Sequence, residues 1–132
     1  MLPSPRKTIL VVEDASEIGE GIQELFEDEG YPVLLAKHGQ AALDLLALRT
    51  LAEGATPKIG LVLLDLMMPV MDGFTFLAEL ERSHPTIFAE TPIFVMSART
   101  DTHKVAAKVT GVMKKPLDLD ELLQVAARYC AP

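Results

Sequence analysis

The run Ile59-Gly60-Leu61-Val62-Leu63-Leu64 is apolar throughout and stops abruptly at Asp65. A strand with one wet face alternates apolar and polar residues. A strand with no such alternation is covered on both faces, as in a parallel sheet sandwiched between helices. Leu66-Met67-Met68-Pro69-Val70-Met71-Asp72-Gly73 follows, and its Pro and Gly break the strand and shape a loop before the next helix. In doubly wound α/β sheets, ligands sit outside the carboxyl ends of the strands. Asp65 is therefore an acid delivered from a buried strand into the crevice where such folds do chemistry.

Three further runs end in polar groups. Lys7 to Val12 ends in Glu13-Asp14, Thr91 to Met96 ends in Ser97-Ala98, and the short Val112-Met113 ends in Lys114-Lys115-Pro116. Tyr31 to Ala36 reads as another strand, and its Pro32 suits a sheet edge, where a missing N–H costs little. Helical periodicities lie between the strands. Ile18, Ile22, Leu25 and Phe26 form an apolar stripe from Ala15 to a stop at Gly30. Ala41, Leu45 and Leu48 share a face from Gln40 to about Ala52, with Ala42 and Leu46 beside them. Leu77 and Leu80 point inward between Phe74 and Ser83; His84-Pro85 ends that helix, and a loop leads to the next strand. A weaker helix spans Thr100 to about Val109. The last carries Leu119, Leu122, Leu123 and Ala126 behind an acidic capping box, Asp118 with Glu121. The alternation predicts an α/β chain of (βα)5 type with a doubly wound, parallel five-stranded sheet. No repeat or interdomain linker interrupts it, so residues 1–132 read as a single domain.

At 49% hydrophobic and 23% charged residues, the chain can build a core without disulfides. Cys130 is the only cysteine and reads as a partly buried, unreactive thiol in a reducing compartment. The net charge of −7 disfavours direct binding to nucleic acid or an anionic membrane. No stretch reaches the ~20 apolar residues of a membrane span. The N-terminus, broken by Pro3 and Pro5, reads as too short and too broken for a signal peptide, and a cytoplasmic location is the expectation.

In a parallel sheet, the strand ends bring Glu13, Asp14, Asp65, Ser97 and Lys115 to one edge. Three converging carboxylates repel unless a cation joins them or their pKa values rise. The candidate donors are all oxygens, which favours Mg²⁺ or Mn²⁺ over zinc. A lysine and a hydroxyl beside such a metal suit a phosphoryl group. Asp65 is then either its acceptor or a ligand only.

This set, in this order, resembles the receiver domains of two-component response regulators, and the resemblance runs from Ile9 to the last helix. It implies the flavodoxin-like strand order 2-1-3-4-5. Glu13 and Asp14 match the acidic pair that holds Mg²⁺. Asp65 matches the phosphoacceptor and a further metal ligand, and Met67 supplies a backbone carbonyl to the metal. Ser97 matches the switch hydroxyl, the Ala98 N–H contacts the phosphoryl group, and Lys115 neutralises it. The peptide between Lys115 and Pro116 is expected to be cis. The implied partners are a histidine kinase or histidine phosphotransfer protein as donor, and a downstream protein target or output domain. Such a chain catalyses only its own phosphorylation and dephosphorylation, and is not an enzyme acting on outside substrates.

The chain departs from the family at several points. The position three before Lys115, commonly aromatic and part of the signal relay, is Val112. Ser97 and Lys115 are only 18 positions apart, so the fourth helix or its following loop should be short or irregular. The connection through Gly54-Ala55-Thr56-Pro57 is slightly extended. Met67 and Arg99 flank the path of the attacking water in the family. A bulky Met67 and an Arg99 that cannot act as a base point to a long-lived phosphorylated state. Asp72-Gly73 reads as a turn and helix cap, the Met67-Met68-Met71 cluster as loop packing, and His38, His84 and His103 as surface residues.

Two other readings compete. One is a phosphorylation-independent binding module, favoured by Val112 and the short fourth-helix region. The other is an aspartyl-nucleophile phosphohydrolase, disfavoured because Met67 occupies the place of its second acid and no residues remain for a cap domain. No output domain is expected within this sequence. The kinase, stimulus and target stay open, as does a phosphorylation-dependent dimer.

Overall fold

Five parallel strands make one sheet. They are β1 (Thr8–Val12), β2 (Val33–Ala36), β3 (Ile59–Asp65), β4 (Ile93–Ser97) and β5 (Gly111–Lys114), in spatial order β2-β1-β3-β4-β5. Around them lie α1 (Ser16–Asp28), α2 (Gly39–Leu51), α3 (Gly73–Ser83), α4 (Pro85–Glu90), α5 (His103–Ala106) and α6 (Leu119–Cys130). The structure, a computed structural model, describes residues 6–51, 58–68, 70–98 and 103–131. Among these, no helix is long and apolar enough to cross a membrane.

The uninterrupted apolar run of β3 follows from its place at the centre. Val62 and Leu64 join Leu10, Val12 and Val95 under Leu46 of α2 and Phe76 and Leu80 of α3. Leu61 and Leu63 join Ile9, Val11 and Met96 under Ile22 and Phe26 of α1 and Leu122 and Ala126 of α6. Each strand thus divides its residues between two cores, and either core alone would leave half of them wet. β2 is an edge strand; Pro32 precedes it and its carbonyl accepts from Ile9 N–H at 2.9 Å. Gly60 is required by close packing, since a Cβ there would stand 2.6 Å from Lys7 Cβ and 3.0 Å from Cys130 Sγ.

Several local expectations change. Residues after His84 form a further helix, α4, because Pro85 opens a new helix where its missing N–H and fixed φ are no handicap. The described part of the weak fourth helix is a single turn, α5. Helix α2 buries Ala42, Leu43 and Leu46, while Leu48 is 64% exposed: the inward face is rotated from the one chosen by spacing. Ile18 and Leu119, in the first turns of α1 and α6, are exposed. His38 is half-buried, and its Nδ1 accepts from Ala41 N–H at 3.1 Å at the start of α2. His84 is half-buried at the junction of α3 and α4. Cys130 is fully buried, and burial pushes its thiol pKa up to about 11.

Candidate functional site

The strand register brings the chemistry-bearing residues level. Val12 lies opposite Leu64, Asp65 opposite Met96, and Ser97 opposite Lys114. The residues following each strand end therefore emerge along one edge. Two backbone bonds anchor them: Glu13 N–H donates to Ala36 O at 3.0 Å, and Lys115 N–H donates to Ser97 O at 2.9 Å. The peptide between Lys115 and Pro116 is cis.

Side-chain oxygens of Glu13, Asp14 and Asp65 lie within 4.8 Å of one another. Glu13 and Asp65 are buried, at 1% and 4% exposure, whereas Asp14 is exposed. Lys115 Nζ stands 3.2 Å from Glu13 Oε2 and 3.5 Å from Asp65 Oδ1, bridging the two buried acids. One lysine cannot offset three carboxylates. Burial, and then the Asp65 charge, push the Glu13 carboxyl above its ordinary pKa, against the pull of Lys115. Ala15 N–H donates to Glu13 Oε1 at 3.3 Å, which holds that side chain inward.

Asp65 is fixed by its own loop. Met67 N–H donates to Asp65 Oδ1 at 3.2 Å, and the Met67 side chain is exposed. Gly73 N–H donates to Leu66 O at 2.9 Å, and a Cβ on Gly73 would stand 2.9 Å from Leu66 Cα and 3.1 Å from Asp65 O. Glycine is therefore needed to seat α3 against the backbone of the acid. Asp72 Oδ1 accepts from Thr75 N–H at 2.8 Å and caps α3.

Ser97 is buried at the end of β4, and Ala98 beside it is exposed. Arg99 lies outside the described residues. Val112 sits mid-strand in β5 opposite Val95, half-buried against the α2–α3 core, so it lies within the packing and not at the crevice. Sequence reasoning missed two features: the Lys115 bridge to Glu13, and the left-handed backbone at Val70 (φ +66°). Spacing cannot show which acid a lysine contacts. Valine also carries none of the signal that Gly or Asn gives for positive φ.

An all-oxygen, net-negative cluster in a crevice fits a hard divalent cation, and the adjacent lysine and hydroxyl fit an anion beside it. Comparison with known proteins identifies the family. The family model described as the response regulator receiver domain matches residues 9–127. Transcriptional regulatory protein DltR of Streptococcus agalactiae is 35% identical over 122 residues, 87% of this chain and 48% of that protein. Sensor histidine kinase AruS of Pseudomonas aeruginosa is 35% identical over 118 residues, 86% of this chain and 11% of that protein. The chemotaxis protein CheY4 of Vibrio cholerae superposes with a TM-score of 0.77 at 26% identity, covering 94% of this chain and 98% of that one. The chain spans about half the length of DltR and a smaller part of AruS. With its strand order, its edge of acids and lysine, and this family match, the chain belongs to the response regulator receiver domains.

Proposed function

We propose that this receiver accepts one phosphoryl group on Asp65 and uses it to switch a partner-binding surface. The observation that carries the reading is the Lys115 bridge, which places a cation 3.5 Å from a buried carboxylate at the sheet's functional edge. In the transfer, an Asp65 oxygen forms a bond to phosphorus as the donor's P–N or P–O bond breaks, and that bond's electron pair leaves with the donor. The modification adds about −1.5 to −2 charges. Lys115 would turn from Glu13 and Asp65 toward the new phosphoryl oxygens, Ala98 N–H would donate to one of them, and Ser97 would donate its hydroxyl. Asp14, Asp65 and the Met67 carbonyl would hold Mg²⁺ or Mn²⁺, with Glu13 behind them. When bound, the ion neutralises charge on the transferring group.

The donor in this reading is a histidine kinase or a histidine phosphotransfer protein, and the output is a protein target or an attached domain. Residues 1–132 act as one receiver unit, in the cytoplasm and without contact to nucleic acid. A bulky Met67 beside the phosphoryl group slows its hydrolysis. Dimerisation on phosphorylation is a further outcome for sizing to decide. The span of only 18 positions between Ser97 and Lys115 and the half-buried Val112 favour one rival, a binding module independent of phosphorylation. Intact mass after incubation with acetyl phosphate and Mg²⁺ separates the two. The phosphoacceptor reading expects one added phosphoryl group, absent with EDTA and in Asp65→Asn. No addition to a protein shown to bind Mg²⁺ would support the rival.

A further inference from the structure

Val70 is the one non-glycine residue with positive φ among the described residues. For a β-branched residue the left-handed region is a genuine outlier. Side-chain packing does not compensate, because Val70 is 80% exposed. The described residues on either side of it are tied down. On one side, Met67 N–H is tied to Asp65 Oδ1 and Leu66 O to Gly73 N–H. On the other, Met71 packs on the start of α2, where a Cβ on Gly39 would stand 2.9 Å from its sulfur, and Asp72 is tied to Thr75. Among the described residues, the loop is tied at Leu66–Gly73 and at Met71, and Val70 carries the positive φ.

One of those ties ends on the side chain of Asp65. As a carboxylate, Oδ1 accepts a charge-assisted bond from Met67 N–H. In an acyl phosphate, both oxygens of Asp65 lose carboxylate character. One becomes a carbonyl, the other bridges to phosphorus, and each is a weaker acceptor. The tie to Met67 then loosens, and the turn at Val70 is free to relax. We propose that the β3–α3 loop is a strained latch. Left-handed strain at Val70 is held while Asp65 is a free carboxylate and released when Asp65 is phosphorylated, adding to the drive for the loop to rearrange.

The inference rests on Asp65 being the phosphoacceptor, and its test separates the two. Wild type, Val70→Gly and Val70→Ala are compared by thermal unfolding without ligand. They are then titrated calorimetrically with beryllofluoride, a mimic of the aspartyl phosphate, in the presence of Mg²⁺. Glycine takes φ +66° without strain, so Val70→Gly should melt higher than wild type. It should also bind beryllofluoride more weakly, by up to about tenfold, with Val70→Ala between. A higher melting temperature with equal affinity would overturn the latch, because the strain would be static. An unchanged or lower melting temperature for Val70→Gly would overturn it too, because no strain would be stored. Failure of wild type itself to bind beryllofluoride would instead bring down the phosphoacceptor reading, and the latch with it.

Discussion

Asp65→Asn should stabilise this protein when no metal is present. The mutation removes the attraction to Lys115 at 3.5 Å, weakens the bond from Met67 N–H at 3.2 Å, and removes at least two repulsions, from Glu13 and Asp14, whose oxygens lie within 4.8 Å. At an effective dielectric constant of about 20, the lost attraction is about 5 kcal/mol and the relieved Glu13 repulsion at least about 3.5 kcal/mol. Asp14 is exposed and screened, so its repulsion adds about 1–2 kcal/mol. These Coulomb terms nearly cancel. The desolvation of a carboxylate at 4% exposure then decides the sign, because a neutral amide no longer carries the burial cost of a charge. The expected gain is about 1–2 kcal/mol at neutral pH and low salt. Urea unfolding followed by far-UV circular dichroism, in EDTA, measures it. Mg²⁺ should close the gap, because the ion stabilises the folded wild type by mass action and binds the variant poorly. A variant less stable than wild type by 1 kcal/mol or more in EDTA would reverse that sign. The Lys115 attraction would then outweigh the crowding of acids.

The raised Glu13 pKa has a definite sign for stability. Its folded pKa exceeds its unfolded one, so the associated stability is present below the ordinary carboxylate pKa and lost as pH rises through the folded value. In EDTA, urea midpoints should fall as pH rises above about 4.5, and Glu13→Gln should flatten that fall. Gly73→Ala places a Cβ 2.9 Å from Leu66 Cα and should cost about 1–3 kcal/mol, with slower phosphorylation by acetyl phosphate than in wild type. Cys130 is fully buried with its pKa pushed up to about 11, so a thiol reagent at neutral pH should leave it untouched until urea unfolds the chain.

Much of this architecture is legible in the sequence because a parallel sheet leaves an unusual mark. Apolar runs such as Val62 to Leu64 and Ile9 to Val12, each closed by a polar residue, reveal both the strands and the edge where they end. Asp65, Glu13, Asp14, Ser97 and Lys115 were readable as site candidates for the same reason. What stayed hidden depends on tertiary contacts. Spacing alone put Leu48 on the inner face of α2, but the neighbouring strands and α3 select Ala42, Leu43 and Leu46. His84-Pro85 read as a helix end, yet the same proline suits the first turn of a new helix. His38 reads as a surface residue, yet it is half-buried, because a histidine used as a helix cap carries no sequence signal. The positive φ at Val70 is equally silent, since valine carries none of the signal that Gly or Asn gives for it.

The most direct test of the account is to find where the phosphoryl group goes. After reaction with acetyl phosphate and Mg²⁺, borohydride reduces an aspartyl phosphate to homoserine, which peptide mass spectrometry can locate. Homoserine is expected at position 65 alone. Reduction at Asp14 or Asp72 with Asp65 untouched would contradict it. So would a labelled protein in which Asp65→Asn changes nothing.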